Sequence, residues 1–163
     1  MNVVTNPTGP NTADQLLAFV AIVGEANALV AQADIKPYLT ENRGLYHGSS
    51  PLVLKPGSTA EVSAILKLAS ETGTAIVPVS GGTGLVGGQV PRDGGQDVLL
   101  SLERMNKIRE VDPVADVMVV DGGAILAEVQ KAAEAHGRLF PLSLGSQGSA
   151  RIGGLLSSNA GGV

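Results

Sequence analysis

The chain has 163 residues, enough for one domain with a real core and too short, by the usual size prior, for two. With 44% hydrophobic residues, 16% charged residues and a formal net charge of -4, the composition is that of a globular domain and lacks the basic excess that a nucleic-acid partner demands. The absence of cysteine excludes disulfides, thiolate nucleophiles and cysteine-held metal sites, and two Phe, two Tyr and no Trp leave few rings to grip a flat ligand, so any ligand here is expected to be held by backbone.

Met1 to Pro10 shows no basic cluster followed by an apolar run, and no later segment reaches the apolar length of a membrane span. The expectation is therefore a cytoplasmic protein with no transmembrane segment. Thr12 and Gln15 stand at capping-box spacing, Leu16, Leu17, Val20 and Val23 keep helical period, and Gly24 marks a stop, which predicts a first helix. Residues 1–33 form an N-terminal helical segment on this reading. From Asp34 to Ser50 the chain is polar and broken by Pro37, Gly44 and Gly48, a long connection to a short strand at Leu52 to Leu54. Ser58 and Glu61 make a second capping box, Val62, Ile65, Leu66 and Ala69 form one stripe, and Gly73 closes that helix before a strand from Ala75 to Val79. Strand, helix and strand in this order predict a parallel crossover. Two apolar, β-branched segments follow, Asp97 to Leu102 and Val117 to Asp121, and then a helix opened by Gly122 and Gly123 that presents Leu126, Val129 and Ala133 and stops at Gly137. Phe140 to Val163 has no clear period. The fold class expected is mixed α/β of the α+β kind, with a parallel strand–helix–strand unit and a small mixed sheet flanked by helices.

Glycine is unevenly spread. Seven of the 22 glycines lie between Ser80 and Gly95 and six between Gly145 and Gly162. Glycine is costly to order, so such clusters are expected where backbone takes left-handed angles or comes close to something that a Cβ would push away. The first window follows a strand directly, where successive N–H groups can form a concavity for an anion such as pyrophosphate. Gly82, Gly84 and Gly87 satisfy the spacing of the dinucleotide fingerprint, but Gly87, Gly88, Pro91, Gly94 and Gly95 forbid the helix that must follow. No acidic residue ends a second strand at the usual distance, Asp97 being too early, and no Lys-Ser or Lys-Thr pair follows a glycine as in a triphosphate loop.

The run Pro78-Val79-Ser80-Gly81-Gly82-Thr83-Gly84-Leu85-Val86-Gly87-Gly88 resembles the pyrophosphate loop of flavin-linked oxidases of the vanillyl-alcohol-oxidase type, also described as having a PCMH-type FAD-binding domain. Leu100 to Ile108, Pro141 to Ser143, Ile152 to Gly154 and Asn159 to Gly162 are similar to the FAD-linked 2-hydroxyacid dehydrogenases, the group of the glycolate oxidase flavin subunit, D-lactate dehydrogenases and D-2-hydroxyglutarate dehydrogenase. The resemblance implies that Ser80, Gly81, Gly82, Thr83 and Gly84, with Gly88 and Gln89, wrap the FAD pyrophosphate. It assigns the ribityl and adenine side to Pro141, Ser143, Gly148, Ser149, Gly153, Asn159 and Gly161. It further implies hydride transfer from a small 2-hydroxy acid to FAD, a cofactor-binding portion over residues 34–163, and a flavin domain that runs on into a separate substrate domain. Both of those further parts are expected to be missing here, so no catalytic residue is assigned and the chain alone is expected to turn over no substrate.

Two departures bear on the loop. Ser80 stands where the family often has glycine, and Thr83 stands where members with covalent flavin carry His, so FAD is expected to be non-covalent. His47 and His136 lack a carboxylate or hydroxyl partner in sequence and are read as structural, His136 near a helix end where a cation is favoured. Asp112, Asp116 and Asp121 are too loosely spaced for a metal and are read as turn or strand-end residues, while Lys107, Arg109 and Glu110 are read as a solvated face. A homo-oligomer is possible through a sheet edge left open. A different class of protein, an adaptor or nucleotide-sensing module that keeps the cradle without catalysis, is the alternative.

Overall fold

The computed structural model describes residues 11–162, so the reading of Met1 to Pro10 lies outside it, as does Val163. Helix α1 spans Ala13–Val23, with Thr12 and Gln15 making both bonds of the expected capping box and Gly24 at its end. Strand β1 (Ala28–Leu29) and the short helix α2 (Gln32–Ile35) come next, followed by a single tight turn at Lys36–Tyr38. Then come β2 (Val53–Leu54), α3 (Thr59–Thr72), β3 (Ile76–Val79) and β4 (Val98–Ser101). The second half holds β5 (Ile108–Asp112), β6 (Val117–Val120), α4 (Leu126–Ala135) and α5 (Ile152–Ser157). The architecture is α+β, as expected.

The four-stranded sheet runs β1-β2-β4-β3. Strands β2 and β3 are both parallel to β4, and β1 is antiparallel to β2. The crossover through α3 is thus parallel, but β4 sits between the two strands it joins. Alternation along β2 and β4 explains the layers. Leu52, Leu54, Val98 and Leu100 face Phe19 and Val23 of α1 and Ile65 and Ala69 of α3. Val53, Leu99 and Val79 face the other way, onto Ile35 with Tyr38 and Leu39 beside it. A parallel strand covered on both faces reads as a nearly continuous apolar run, and β4 is buried throughout, with Val98, Leu99 and Leu100 before the polar Ser101. Strand β3 forms one edge of the sheet, and its Pro78 removes one donor from that edge.

Helix α3 corrects the expected stripe in one place. Leu66 is 50% exposed, while Leu68 packs partly against the core. Ser58 accepts the N–H of Glu61, but the Glu61 carboxylate turns one residue further back and accepts from Gly57 at 2.8 Å. In the second half, β5 and β6 form an antiparallel hairpin with an irregularity between Ile108 and Glu110. It aims Arg109 at Asp121, with Nε 2.6 Å from Oδ1, so Arg109 belongs to an ion pair and not to a purely solvated face. Leu126, Ala150 and Leu155 make a smaller core with Phe140, Leu142 and Ile152 around it.

Candidate cofactor-binding site

Parallel strands deliver their following loops to one edge of a sheet, where ligands of α/β proteins gather. At the carboxyl edge here, β2 leads into Lys55, β3 into Ser80, and β4 into Glu103. An open cleft of about 390 Å³ lies there, lined by Ser80, Gly81, Gly82 and Gln89 of the first glycine window, Gly148 and Ser149 of the second, and Tyr38, Asn42, Glu103 and Arg151.

The loop after β3 has the form of an anion cradle. Among the described residues, none of the backbone N–H groups from Ser80 to Gly84 donates a hydrogen bond. Gly82 has φ +65°, and a Cβ built on it would meet nothing within 4 Å. The same open space surrounds Gly148 on the opposite wall. Exposed donors together with room for close approach fit a pyrophosphate held by main chain. Ser80 does not share the left-handed geometry, since the positive-φ residues other than glycine are Asp116 and Asn159. Its hydroxyl instead accepts the N–H of Gly154 at 3.2 Å and so ties the two glycine windows together. Gly81 lies beneath the second window, where a Cβ would run into Ser149 O and come within 2.9 Å of Ala150 Cα.

The loop is also propped from behind by residues that sequence reading left in an unstructured connection. The buried Glu41 carboxylate accepts the N–H groups of Arg43, Leu45 and Tyr46, which hold its pKa below the usual carboxylate range. Of these, Arg43 N–H has the largest influence. That fold-back sets the Tyr46 ring against Gly87 and lets the Asn42 side chain donate to Gly82 O at 3.4 Å. His47 meets Thr40 and Gly44 O, and His136 meets Ala132 O; neither faces the cleft. Asp112 caps a turn by accepting from Val114 and Ala115, and no cluster of metal-ligating side chains occurs among the described residues.

The expected site residues divide. Thr83, Gly84 and Gly88 continue the loop without lining the cleft, with Gly84 O accepting from the Gln89 side chain at 2.9 Å. Gly153 packs on Gly122, its N–H 2.7 Å from Gly122 O. Pro141, Asn159 and Gly161 line a different, mostly apolar cleft along α5, with Phe140, Leu155 and Leu156. Ser143 sits beside that cleft, its N–H donating to Gly162 O.

The FAD binding domain family matches residues 50–163. The chain belongs to that family. FAD is accordingly its cofactor, and the free donors of Ser80 to Gly84 are in keeping with that. Mitochondrial D-2-hydroxyglutarate dehydrogenase of Arabidopsis thaliana is 40% identical over 145 residues, covering 89% of this chain and 26% of that protein. D-2-hydroxyglutarate–pyruvate transhydrogenase of Saccharomyces cerevisiae is 35% identical over 152 residues, covering 92% of this chain and 30% of that protein. The chain thus spans between a quarter and a third of the length of these relatives. In fold, it matches alkyldihydroxyacetonephosphate synthase with a TM-score of 0.82 at 19% identity, over 99% of this chain and 35% of that one. It also matches p-cresol methylhydroxylase with a TM-score of 0.73 at 21% identity, over 88% and 29%. The PCMH-type architecture expected from the motifs is therefore the one observed. The expected cytoplasmic location is corrected by the plant and zebrafish relatives, both named as mitochondrial. The composition of Met1 to Pro10 was no guide to compartment. Among the described residues, no helix is long and apolar enough to cross a membrane.

Proposed function

We propose that this chain is the phosphate-cradling portion of a flavin-dependent oxidoreductase acting on a small 2-hydroxy acid of the D-2-hydroxyglutarate, D-lactate or glycolate type. The observation that carries the proposal is the run of backbone N–H groups from Ser80 to Gly84 that donate no hydrogen bond, with Ser80, Gly81 and Gly82 lining the cleft at the carboxyl edge of the sheet, in a chain whose relatives include D-2-hydroxyglutarate dehydrogenases. Residues 34–163 carry the cofactor site on this reading, and α1 buttresses the sheet from beneath.

FAD, when bound, supplies the hydride acceptor. The chain's own part is to bind and orient. Ser80, Gly81, Gly82, Thr83 and Gly84, followed by Gly88 and Gln89, hold the pyrophosphate, and Gly148 and Ser149 close the cleft over it. Pro141, Ser143, Gly148, Ser149, Gly153, Asn159 and Gly161 are assigned to the ribityl and adenine side, Gly148 and Ser149 at the cleft of the cradle and Pro141, Asn159 and Gly161 along the second cleft. Thr83 offers no ring nitrogen for a covalent link, so this loop holds the cofactor without one.

The test is titration of the chain with FAD, followed by flavin fluorescence and thermal unfolding. Ligand at a hundred times its dissociation constant stabilises by about 2.7 kcal/mol through mass action. Saturable stabilisation by FAD supports the reading, and its absence at millimolar FAD defeats it. Supplying D-2-hydroxyglutarate, D-lactate and glycolate in turn to the longest native form and following flavin bleaching would distinguish the substrates.

A further inference from the structure

The only charged side chains lining the cleft among the described residues are those of Glu103 and Arg151. Arg151 Nη1 is committed to Gly123 O at 2.6 Å. Glu103 is held on three sides. Lys55 Nζ stands 2.8 Å from Oε1, while the Tyr38 hydroxyl donates to Oε2 at 3.1 Å and Ser101 Oγ to the same oxygen at 3.3 Å. Lys55 also lies 5.8 Å from the centre of the Tyr38 ring, so the lysine, the phenol and the carboxylate form one rigid group. Burial works to raise the Glu103 carboxyl, but Lys55, Tyr38 and Ser101 outweigh it and keep the pKa below the usual range. Burial likewise works against the Lys55 ammonium and is outweighed by Glu103 and Tyr38.

An ionised carboxylate only accepts hydrogen bonds, and two oxygens offer about four lone-pair positions, of which three are used here. Glu103 lines the same cleft as Ser80, Gly81 and Gly82 of the phosphate cradle, so the remaining capacity is open to a ligand held there. Such an oxygen rejects a phosphate and selects a hydroxyl or amino donor. Its place sharpens this: Glu103 follows β4, which pairs with β3, so it stands one strand over from the start of the cradle, at the same carboxyl edge. In the doubly wound dinucleotide folds an acid at the end of the strand next to the phosphate loop accepts from ribose hydroxyls. The present sheet, with its different strand order, brings an acid to the strand beside its own phosphate loop, and both line one cleft.

We infer that Glu103, fixed by Lys55 and Tyr38, is the acceptor for the ribose hydroxyls of the adenosine half of the dinucleotide whose pyrophosphate lies on Ser80 to Gly84. The inference rests on the proposed function, and it makes Glu103 a determinant of cofactor choice. A dinucleotide with free ribose hydroxyls is favoured, one with a phosphate on that ribose is repelled, and a mononucleotide gains nothing from it.

The test is a residue-against-ligand cycle on the chain, measuring dissociation constants by calorimetry for FAD, FMN, ADP and 2′,3′-dideoxy-ADP with the unmodified protein and with Glu103→Ala. The unmodified chain should bind ADP about tenfold more tightly than the dideoxy compound, the usual scale for a charge-assisted hydrogen bond. Glu103→Ala should bind the two nearly equally, lose about tenfold for FAD, and keep its affinity for FMN. The FMN arm also reports on folding, because a collapsed cradle would lose FMN as well. If Glu103→Ala weakens FMN as much as FAD, Glu103→Gln serves as the milder variant, and it must then narrow the preference for ADP over the dideoxy compound. Equal discrimination by both proteins overturns the inference while leaving the cradle intact, whereas failure of the unmodified chain to bind FAD or ADP at all overturns the function reading itself.

Discussion

The two glycine windows share a composition and use it in opposite ways. Between Ser80 and Gly95, Gly82, Gly87 and Gly94 take positive φ, so these residues are there for backbone angles that a side chain resists. Between Gly145 and Gly162 no glycine does; Gly153 is pressed on Gly122, Gly154 on Ser80 and Gly162 on Ser143 O. The second window lends the first its support, and Gly81, packed under Ser149 and Ala150, belongs to both. Identical residue types therefore report two different physical needs, which composition merges and dihedrals separate.

The largest effect is expected at the shared position. Gly81→Ala puts a methyl into the Ser149–Ala150 backbone, which cannot move aside as a side chain would, and overpacking of this kind costs about 3 kcal/mol. Urea denaturation should show that loss together with lost FAD binding. A loss no greater than that of Gly82→Ala would erase the distinction between the two kinds of glycine. Gly82→Val comes next: its site is open, so the penalty is the left-handed conformation, about 1–2 kcal/mol. FAD retention should disappear, while Gly82→Asn should recover most of the stability because Asn tolerates that conformation. Asn at Gly81 should recover none.

Ser80→Ala tests the tie between the windows. It leaves the Gly154 N–H without its acceptor, an expected loss of about 1 kcal/mol by thermal unfolding, with FAD affinity falling less than for the glycine variants. The smallest effect concerns the far end of the first window. Hydrogen bonds from Arg92 outweigh burial and hold the buried Asp97 carboxyl below its usual pKa. A depressed carboxyl contributes stability that is whole above the unfolded carboxylate range and lost as pH falls through and below it. Unfolding followed from pH 7 to pH 3 should show that loss, reduced in Asp97→Asn. An unchanged acid limb in that variant would show that Arg92 and Asp97 do not brace the window.

Much of the fold was legible because its strongest signals are local. Thr12 with Gln15, Ser58 with Glu61, and the terminal Gly24 and Gly73 all act within one turn of chain, and α1 and α3 begin and end where they indicate. The face of α4 was legible too, since Leu126, Val129 and Ala133 are all buried. Strands β1 and β5 were not. Ala28 and Leu29 are too few to show a period, and Ile108 to Asp112 carries charges that face solvent or pair with Asp121 across a bulge. The cradle itself was legible as a motif, but its props were hidden. Glu41, Asn42 and Tyr46 act through a fold-back whose bonds join neighbours in space, and Glu103 gains its meaning only when β4 is inserted beside β3. The second cleft was hidden as well: Pro141 and Asn159 carry motif signals but line it together with Leu155 and Leu156 of α5, apart from the residues of the cradle.

The clasp between Ser80 and Gly154 spans 74 positions of sequence. Closing so long a loop costs chain entropy before any contact repays it, whereas the capped helices need only their own turns. During synthesis, α1, α3 and the central strands can therefore assemble while the cradle still gapes. The phosphate loop takes its final shape only after residue 154 has left the ribosome and swung back onto it. Cofactor capture is thereby expected to wait until both glycine windows have been made, and a ribosome stalled between them would display a sheet that retains no flavin.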